Sequence, residues 1–294
     1  MNDSSHDAIP ASIPPGTWLT ERYVLEDRLG RGGSSTVYAG LDAREDRPVA
    51  IKVLDPEPPH RATERERLFR EARLTAGLRH PNVVEVLDSG ALPGGRGYLV
   101  MERLRGRTLA RRMDECFWMP LEEVCGVGAQ LLEALAAAHA VGVVHRDVKP
   151  ANVFLLAGTG APRVKLVDFG IARDLGDPTS RVTDPQVVVG TVGYMAPEQL
   201  FGDEPTVATD LYAAGATLYE MVAGRPPHDV GDGDIRTVLH AMVRPPPDLG
   251  ELRPACPPRL VEGIHRALSK RLQDRPPSAL AMMDACGLDT AAAA

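Results

Sequence analysis

The sequence predicts an α+β protein in two parts, a small β-rich part with one helix and a larger, mainly helical part. Three observations carry this. Apolar residues fall in short alternating runs up to about residue 103 and recur at three- and four-residue steps beyond it. A length of 294 residues suits one large domain or two lobes. Hydrophobic residues make up 44%, enough for a sizeable core, which excludes wholesale disorder. Aromatic residues are only 4%, so that core is expected to be packed from Ala, Val and Leu.

The first part reads as strands at Tyr23 to Leu25, Val37 to Ala39 and Val49 to Leu54, the last apolar on both sides. A Pro-rich loop, Asp55 to Pro59, leads to a helical segment from Thr63 to Leu78. There Leu68, Ala72 and Thr75 share a face, and Glu64 and Glu66 suit the first turn. Val83 to Leu87 and Gly97 to Met101 read as a hairpin joined by Leu92-Pro93-Gly94-Gly95-Arg96.

In the second part, Val124, Val127, Leu131, Leu135 and Ala138 mark a long helix over Leu121 to Ala140. Strand-like runs at Val153 to Leu156 and Val164 to Val167 follow, then a segment without regular pattern from Ala172 to Val187. Helical periods return at Ala208 to Val222, Asp234 to Met242, Arg259 to Lys270 and Ala279 to Cys286.

Thirty-three Lys and Arg against 40 Asp and Glu give a net charge of −7, so the broad basic field of a nucleic-acid binder is absent. Cys116, Cys125, Cys256 and Cys286 lack zinc-like spacing and read as buried free thiols of a reducing compartment. Met1 to Gly16 has no basic start and no apolar run, so it reads as a disordered lead-in rather than a signal peptide. No run approaches the ~18 apolar residues of a membrane span; Val207 to Val222 is broken by Thr209, Asp210 and Glu220. The expectation is a soluble, cytoplasmic chain, unless a membrane segment lies beyond it.

Three strings carry chemistry. In Gly30-Arg31-Gly32-Gly33-Ser34-Ser35-Thr36-Val37, glycines let backbone N–H groups approach a phosphate. Alone this is equally a hairpin turn, and the strand that follows it argues against a dinucleotide fold. Lys52, in Val49-Ala50-Ile51-Lys52, sits among apolar residues where an unpaired ammonium is costly, and Glu71 is its candidate partner. The most specific string is His145-Arg146-Asp147-Val148-Lys149-Pro150-Ala151-Asn152, followed by Asp168-Phe169-Gly170. Asn152 and Asp168 are oxygen donors suited to Mg²⁺, which takes few protein ligands. Asp147 can accept a hydroxyl proton, and Lys149 can meet the charge on a phosphoryl group.

Taken in order with Ala196-Pro197-Glu198, Asp210 and Asp274-Arg275-Pro276, these strings resemble the eukaryotic-type (Hanks-type) protein kinases, most closely the bacterial serine/threonine branch, over about Tyr23 to Leu288. The resemblance implies a bilobal protein-kinase fold, an antiparallel β-rich N-lobe and a mainly α-helical C-lobe. It implies a kinase domain over 18–288, with lobes of about 18–103 and 104–288, a lead-in over 1–17 and a tail over 289–294.

The resemblance also implies that ATP sits between the lobes and that the chain transfers its γ-phosphoryl group to Ser or Thr hydroxyls of proteins. Leu29, Gly30, Arg31, Gly32, Gly33, Ser34, Ser35, Val37 and Ala50 would surround the nucleotide. Lys52, positioned by Glu71, would hold the α- and β-phosphates. Adenine would meet the hinge at Glu102 to Leu104, with Met101 as gatekeeper. Asn152 and Asp168 would hold Mg²⁺, Asp147 would act as base, and Lys149 would stabilise the γ-phosphoryl. Asp210 would brace the catalytic loop, and Arg275 would pair with Glu198.

Lys149 and Thr191 mark the serine/threonine class. Arg146 marks kinases whose activation loop is ordered by phosphorylation, here at Thr179, Ser180 or Thr183. A homodimer would allow autophosphorylation in trans. Ser35 replaces the third glycine of the loop. Arg103, where the family often has an aromatic, joins Arg105, Arg107, Arg111 and Arg112 in a basic cluster that reads as a solvated face or a docking site for acidic substrates or partners. His139 reads as a packed core histidine and Met282-Met283 as core filling. A pseudokinase is disfavoured because Lys52, Glu71, Asp147, Asn152 and Asp168 are all present. A small-molecule phosphotransferase is disfavoured by Lys149 and the Ala-Pro-Glu segment.

Overall fold

The computed structural model describes residues 13–32, 35–54, 77–92, 96–169, 193–228 and 243–288. The expected helices at Thr63 to Leu78 and Asp234 to Met242 lie, but for Gly77 and Leu78, outside the described residues. So do Gly33, Ser34, Glu71, Gly170, the segment Ala172 to Val187, and Thr191. The chain divides into two compact units, one of Met1–Arg79 with Val84–Leu104 and one of His80–Val83 with Arg105–Ala294.

In the first unit, β1 (Tyr23–Arg31), β2 (Ser35–Asp42), β3 (Arg47–Leu54), β4 (Val86–Ala91) and β5 (Gly97–Glu102) form one antiparallel sheet in the order β1-β2-β3-β5-β4. The two-residue period of β3 sends Val49, Ile51 and Val53, all fully buried, into a core with Tyr23, Leu25, Tyr38, Tyr98 and Val100. Its other face carries Ala50 and Lys52. As a central strand β3 has no open edge, which explains its apolar residues on both sides. At Gly40 a Cβ would lie 2.7 Å from both Ile51 Cδ1 and Val24 O, so only glycine lets these strands approach. Ile13, placed by sequence in the lead-in, is instead buried in this core and donates its N–H to Tyr38 Oη (3.3 Å). Gly16 and Thr17 also pair with Leu25, so packed chain begins before residue 18.

The second unit opens with β6 (Gly106–Thr108) and the short helix α1 (Leu109–Met113), followed by α2 (Leu121–Ala140). Then come a 3₁₀ turn at Pro150–Asn152 and the strands β7 (Val153–Leu156) and β8 (Arg163–Leu166), paired β6-β7-β8. The remaining helices are α3 (Pro197–Leu200), α4 (Val207–Ala223), α5 (Leu249–Leu252), α6 (Pro258–Ala267) and α7 (Ala279–Ala285). Helix α2 buries Val124, Val127, Leu131, Leu135 and Ala138, the predicted face, with Leu132 and Ala134 beside them. Helix α4 is buried along nearly its whole length, and Gly224 ends it in the left-handed conformation (φ 70°). Small residues bring these helices close: a Cβ at Gly128 would lie 2.8 Å from Leu218 Cδ2, and one at Gly215 the same distance from Ala267 Cβ.

The core is not made of aliphatic residues alone. Tyr23, Tyr38, Tyr98, Tyr212 and Tyr219 are all buried, whereas Trp18, Phe117, Trp118 and Phe201 stay exposed. The cysteines are free, as expected, but only Cys256 and Cys286 are buried while Cys116 and Cys125 are part-exposed. Met282 fills core and Met283 is half-buried. Among the described residues no helix is long and apolar enough to cross a membrane.

Candidate active site

In the β-rich unit the site residues are placed by backbone register. Lys52 stands opposite Val37 on β2 and Leu99 on β5, and Ala50 stands between Ala39 and Met101. The turn between β1 and β2 is closed by Gly30 facing Val37, Arg31 facing Thr36, and the Gly32 N–H donating to Ser35 O (2.8 Å). A Cβ at Gly30 would meet nothing within 4 Å, and at Gly32 nothing nearer than 3.6 Å. Internal packing therefore does not demand these glycines; what they keep clear is space above the strands. Leu29 beside them is 53% exposed, an apolar side chain left without cover. On β5 the Glu102 carboxylate accepts the Glu85 N–H (2.8 Å) and its own N–H donates to Glu85 O (3.0 Å), which fixes the strand end before Leu104.

In the helical unit the candidate catalytic residues lie on irregular chain held by buried polar groups. Asp210, on the first turn of α4 and 1% exposed, accepts the backbone N–H of His145 and of Arg146, each at 2.7 Å. His139, from the end of α2, holds the same carboxylate through Nε2 (2.8 Å). These bonds hold Arg146 at φ 68°, a left-handed conformation that costs a non-glycine residue about 1–3 kcal/mol. His145 is fully buried, contacts Val167 O through Nε2 (3.0 Å) and packs on Phe169 with ring centroids 4.6 Å apart. Burial pushes its imidazole below the ordinary value despite the nearby carboxylates.

On this frame Asp147, Lys149 and Asn152 converge. Asn152 Nδ2 donates to Asp147 O (2.8 Å) and Asp147 Oδ2 (3.0 Å), while Lys149 Nζ lies 3.0 Å from the same Oδ2. With its amide nitrogen engaged, Asn152 has Oδ1 as the atom that could serve as an oxygen ligand. The Val167 N–H donates to Asn152 O (2.9 Å), which sets Asp168 (φ 57°) one residue beyond that tie. Two oxygen donors from adjoining segments, with no histidine or thiol among them, fit a hard ion such as Mg²⁺ that completes its shell from phosphate and water. Among the described residues no cluster of three or more His, Cys, Asp or Glu could hold a metal by itself.

The segment after the activation loop is anchored separately. Arg275 Nη1 and Nη2 grip Glu198 Oε1 and Oε2 (2.7 and 2.8 Å), and Thr209 Oγ1 donates to Glu198 Oε1 (2.9 Å). Burial alone would push the Glu198 carboxyl up; the Arg275 guanidinium outweighs it and holds the group below its ordinary value. Gln199 Nε2 donates to Arg146 O (3.2 Å), joining this anchor to the catalytic loop. The basic cluster noted in the sequence is largely matched by carboxylates: Arg103 with Glu26 (2.9 Å), Arg107 with Glu115, and Arg112 with Glu123 (2.7 Å). A solvated, neutralised face fits this better than a free docking site for acidic partners.

Sequence reasoning did not foresee His139 as a brace, nor Gln199. His139 reads as core, and it is part-buried, but its carboxylate partner lies 71 residues away, a separation no local pattern reveals. The candidate phosphosites and Glu71 lie outside the described residues.

Comparison with known proteins agrees with this geometry. The protein kinase domain family matches residues 23–285. The chain is 40% identical over 278 residues to the DNA damage-responsive serine/threonine-protein kinase RqkA of Deinococcus radiodurans, covering 92% of this chain and 40% of that protein. It is 40% identical over 232 residues to the serine/threonine-protein kinase PknB of Mycobacterium leprae, covering 78% of this chain and 36% of that one. It thus spans about 40% or less of the length of these relatives. The crystal structure of the Mycobacterium tuberculosis PknI kinase domain superposes with a TM-score of 0.73 at 28% identity, covering 94% of this chain and 99% of that one. Asp210-braced catalytic loop, paired Glu198 and Arg275, five-stranded sheet and family match converge: the chain belongs to the protein kinase family, among the bacterial Hanks-type serine/threonine kinases.

Proposed function

We propose that this chain is a serine/threonine protein kinase that transfers the γ-phosphoryl group of Mg·ATP to Ser or Thr hydroxyls of proteins. The observation that carries this is the Asp147 carboxylate, held by Asn152 Nδ2 and facing Lys149 Nζ on a loop braced by Asp210. Asp147 is placed to orient an acceptor hydroxyl and take its proton; a loose phosphoryl-transfer transition state asks little basicity of it. Lys149, already at that carboxylate, would shift toward the transferring phosphoryl oxygens. Lys52 would bind the α- and β-phosphates with Glu71, and the open backbone at Gly30 and Gly32 would lie over them with Leu29, Arg31, Gly33, Ser34, Ser35 and Val37. Ala50, Met101, Glu102 and Leu104 would contact adenine. Asn152 and Asp168 would hold Mg²⁺, which when bound neutralises phosphate charge.

The same reading assigns Thr179, Ser180 or Thr183 as autophosphorylation sites, reached in trans within a homodimer. Cytoplasmic action fits four free cysteines and the supply of ATP there. The test is transfer of labelled γ-phosphate from Mg·ATP to the protein itself and to a generic protein substrate, followed by phosphoamino-acid analysis. Label on serine and threonine, lost in Asp147→Asn, supports the reading. No incorporation, or equal labelling in Asp147→Asn, sinks it. Label confined to other regions of the chain removes the activation-loop assignment alone.

A further inference from the structure

Only four of the chain's 33 basic residues are lysines: Lys52, Lys149, Lys165 and Lys270. Arginine fills the rest, and a guanidinium stays charged at any working pH, whereas a buried ammonium can release its proton and become a nucleophile. Lys52 and Lys149 belong to the proposed active site, and Lys165 donates to Val83 O (2.9 Å). Lys270 has neither role.

Lys270 follows α6 and is half-buried. Its Nζ lies 2.8 Å from His228 Nε2, 3.2 Å from Tyr212 Oη, and 5.4 Å from the Tyr212 ring centroid. The other cation on that ring is Arg275, 4.9 Å from the centroid. The neighbouring carboxylate, Glu198, is already gripped by both Arg275 nitrogens. Among the described residues no carboxylate pairs with Lys270. The amine thus has two neutral partners and a like charge beside it, a setting that favours the unprotonated form. Burial first, then Arg275, pushes Lys270 down to about 8. Burial pushes His228 down to about 4, so its imidazole is unprotonated at neutral pH and able to accept. At pH 7.5 this gives roughly 200-fold more free amine than an exposed lysine provides.

We propose that Lys270 is an acylation site, a nucleophilic amine that takes an acyl group from acyl phosphates with His228 as proton acceptor. The Nζ lone pair attacks the acyl carbon and the N–C bond forms. The C–O bond to phosphate breaks, and inorganic phosphate leaves with that electron pair. The surplus proton passes from Nζ to His228 Nε2 and on to solvent. While protonated, Lys270 is a cation that no described carboxylate pairs, and this draws a dianionic donor before the amine sheds its proton; an acyl thioester offers the same acyl carbon without that attraction. The product is a neutral amide beside the Arg275–Glu198 pair, so acylation removes a charge next to the anchor of α3.

The test needs no ATP and reads independently of kinase activity. Wild-type protein at pH 7.5 is incubated with acetyl phosphate or, in parallel, with S-acetyl-N-acetylcysteamine, and acetyl-lysine is quantified by peptide mass spectrometry. Lower basicity makes each free amine a weaker nucleophile and takes back part of the advantage, as it does for thiols. Lys270 is therefore expected to be acetylated roughly tenfold faster than the lysine of an unstructured reference peptide in the same mixture. The rate should be higher with acetyl phosphate than with the thioester, and lower in both His228→Phe and His228→Gln proteins that melt as folded. Equal rates at Lys270 and in the reference peptide would overturn the site. A faster thioester reaction would overturn the donor class, and unchanged rates in both His228 variants would overturn the proton acceptor.

Discussion

Lys52 and Asp147 are positioned by different kinds of structure. Lys52 stands on a central strand whose register against Val37 and Leu99 is set by backbone hydrogen bonds and by Val49, Ile51 and Val53 in the core. Asp147 stands on irregular chain whose shape depends on Asp210, His139 and Asn152, each supplying contacts nothing else replaces. A strand tolerates the loss of one outward side chain. A loop with a left-handed arginine does not tolerate the loss of the carboxylate that holds it. The β-rich unit therefore separates the proposed function from stability at Lys52, whereas the helical unit couples them around Asp210 and Glu198.

The largest stability effect is expected at the buried ion pair. Arg275→Met leaves the Glu198 carboxylate uncompensated and should cost about 3–5 kcal/mol in denaturant unfolding. Replacing both partners with apolar residues should recover most of that loss. The pH dependence has a definite sign. Because the folded Glu198 is held below its ordinary value of 4.5, its contribution is full above that pH and is lost as pH falls through the lower folded value. Arg275→Met should therefore flatten the acid side of the stability profile.

Next comes Asp210→Ala, which strands the buried N–H groups of His145 and Arg146 and should cost about 2–4 kcal/mol. It should also depress phosphoryl transfer. Lys52→Met provides the contrast. It should abolish most transfer while shifting the melting midpoint by no more than about 1 °C. A large loss of stability in Lys52→Met would break the distinction between the two units.

Lys270→Met should raise stability by about 1 kcal/mol near pH 7, a modest figure because the amine remains part-exposed. With a folded value of about 8 against 10.5 unfolded, the folded state binds fewer protons between those values. Wild-type stability should therefore rise from pH 8 toward 10.5, and the advantage of Lys270→Met should shrink over the same range. Smallest is Arg103→Ala, whose pair with Glu26 is solvent-exposed and should change stability by less than about 0.5 kcal/mol.

Long periodic or contiguous features were legible in the sequence. Helix α2 runs over Leu121–Ala140 and β7 over Val153–Leu156, the bounds their apolar periods indicate. The catalytic string was legible because its residues are adjacent in the chain. Helix α6 ends at Ala267 rather than Lys270: the Leu268 N–H closes its last turn on Ile264 O (3.1 Å), and the Ser269 N–H then takes the tighter bond to Arg266 O (3.2 Å). Strand β6 and helices α1 and α5 passed unnoticed, being three to five residues long with no full period to detect. The Asp210 brace and the Glu198–Arg275 pair were legible only through the family resemblance, and His139 and Gln199 were not legible at all, because they act on residues 71 and 53 positions away. Only the fold brings such pairs together.

The central claim is that Asp147, on its braced loop, is the base of a phosphoryl transfer. Single-turnover transfer from saturating Mg·ATP to a protein substrate, compared between wild type and Asp147→Asn of equal melting temperature, tests it most directly. The account predicts a rate lower by about 10²–10⁴-fold in the variant, with nucleotide affinity unchanged. Equal rates in the two proteins, or no transfer by the wild type, would contradict it.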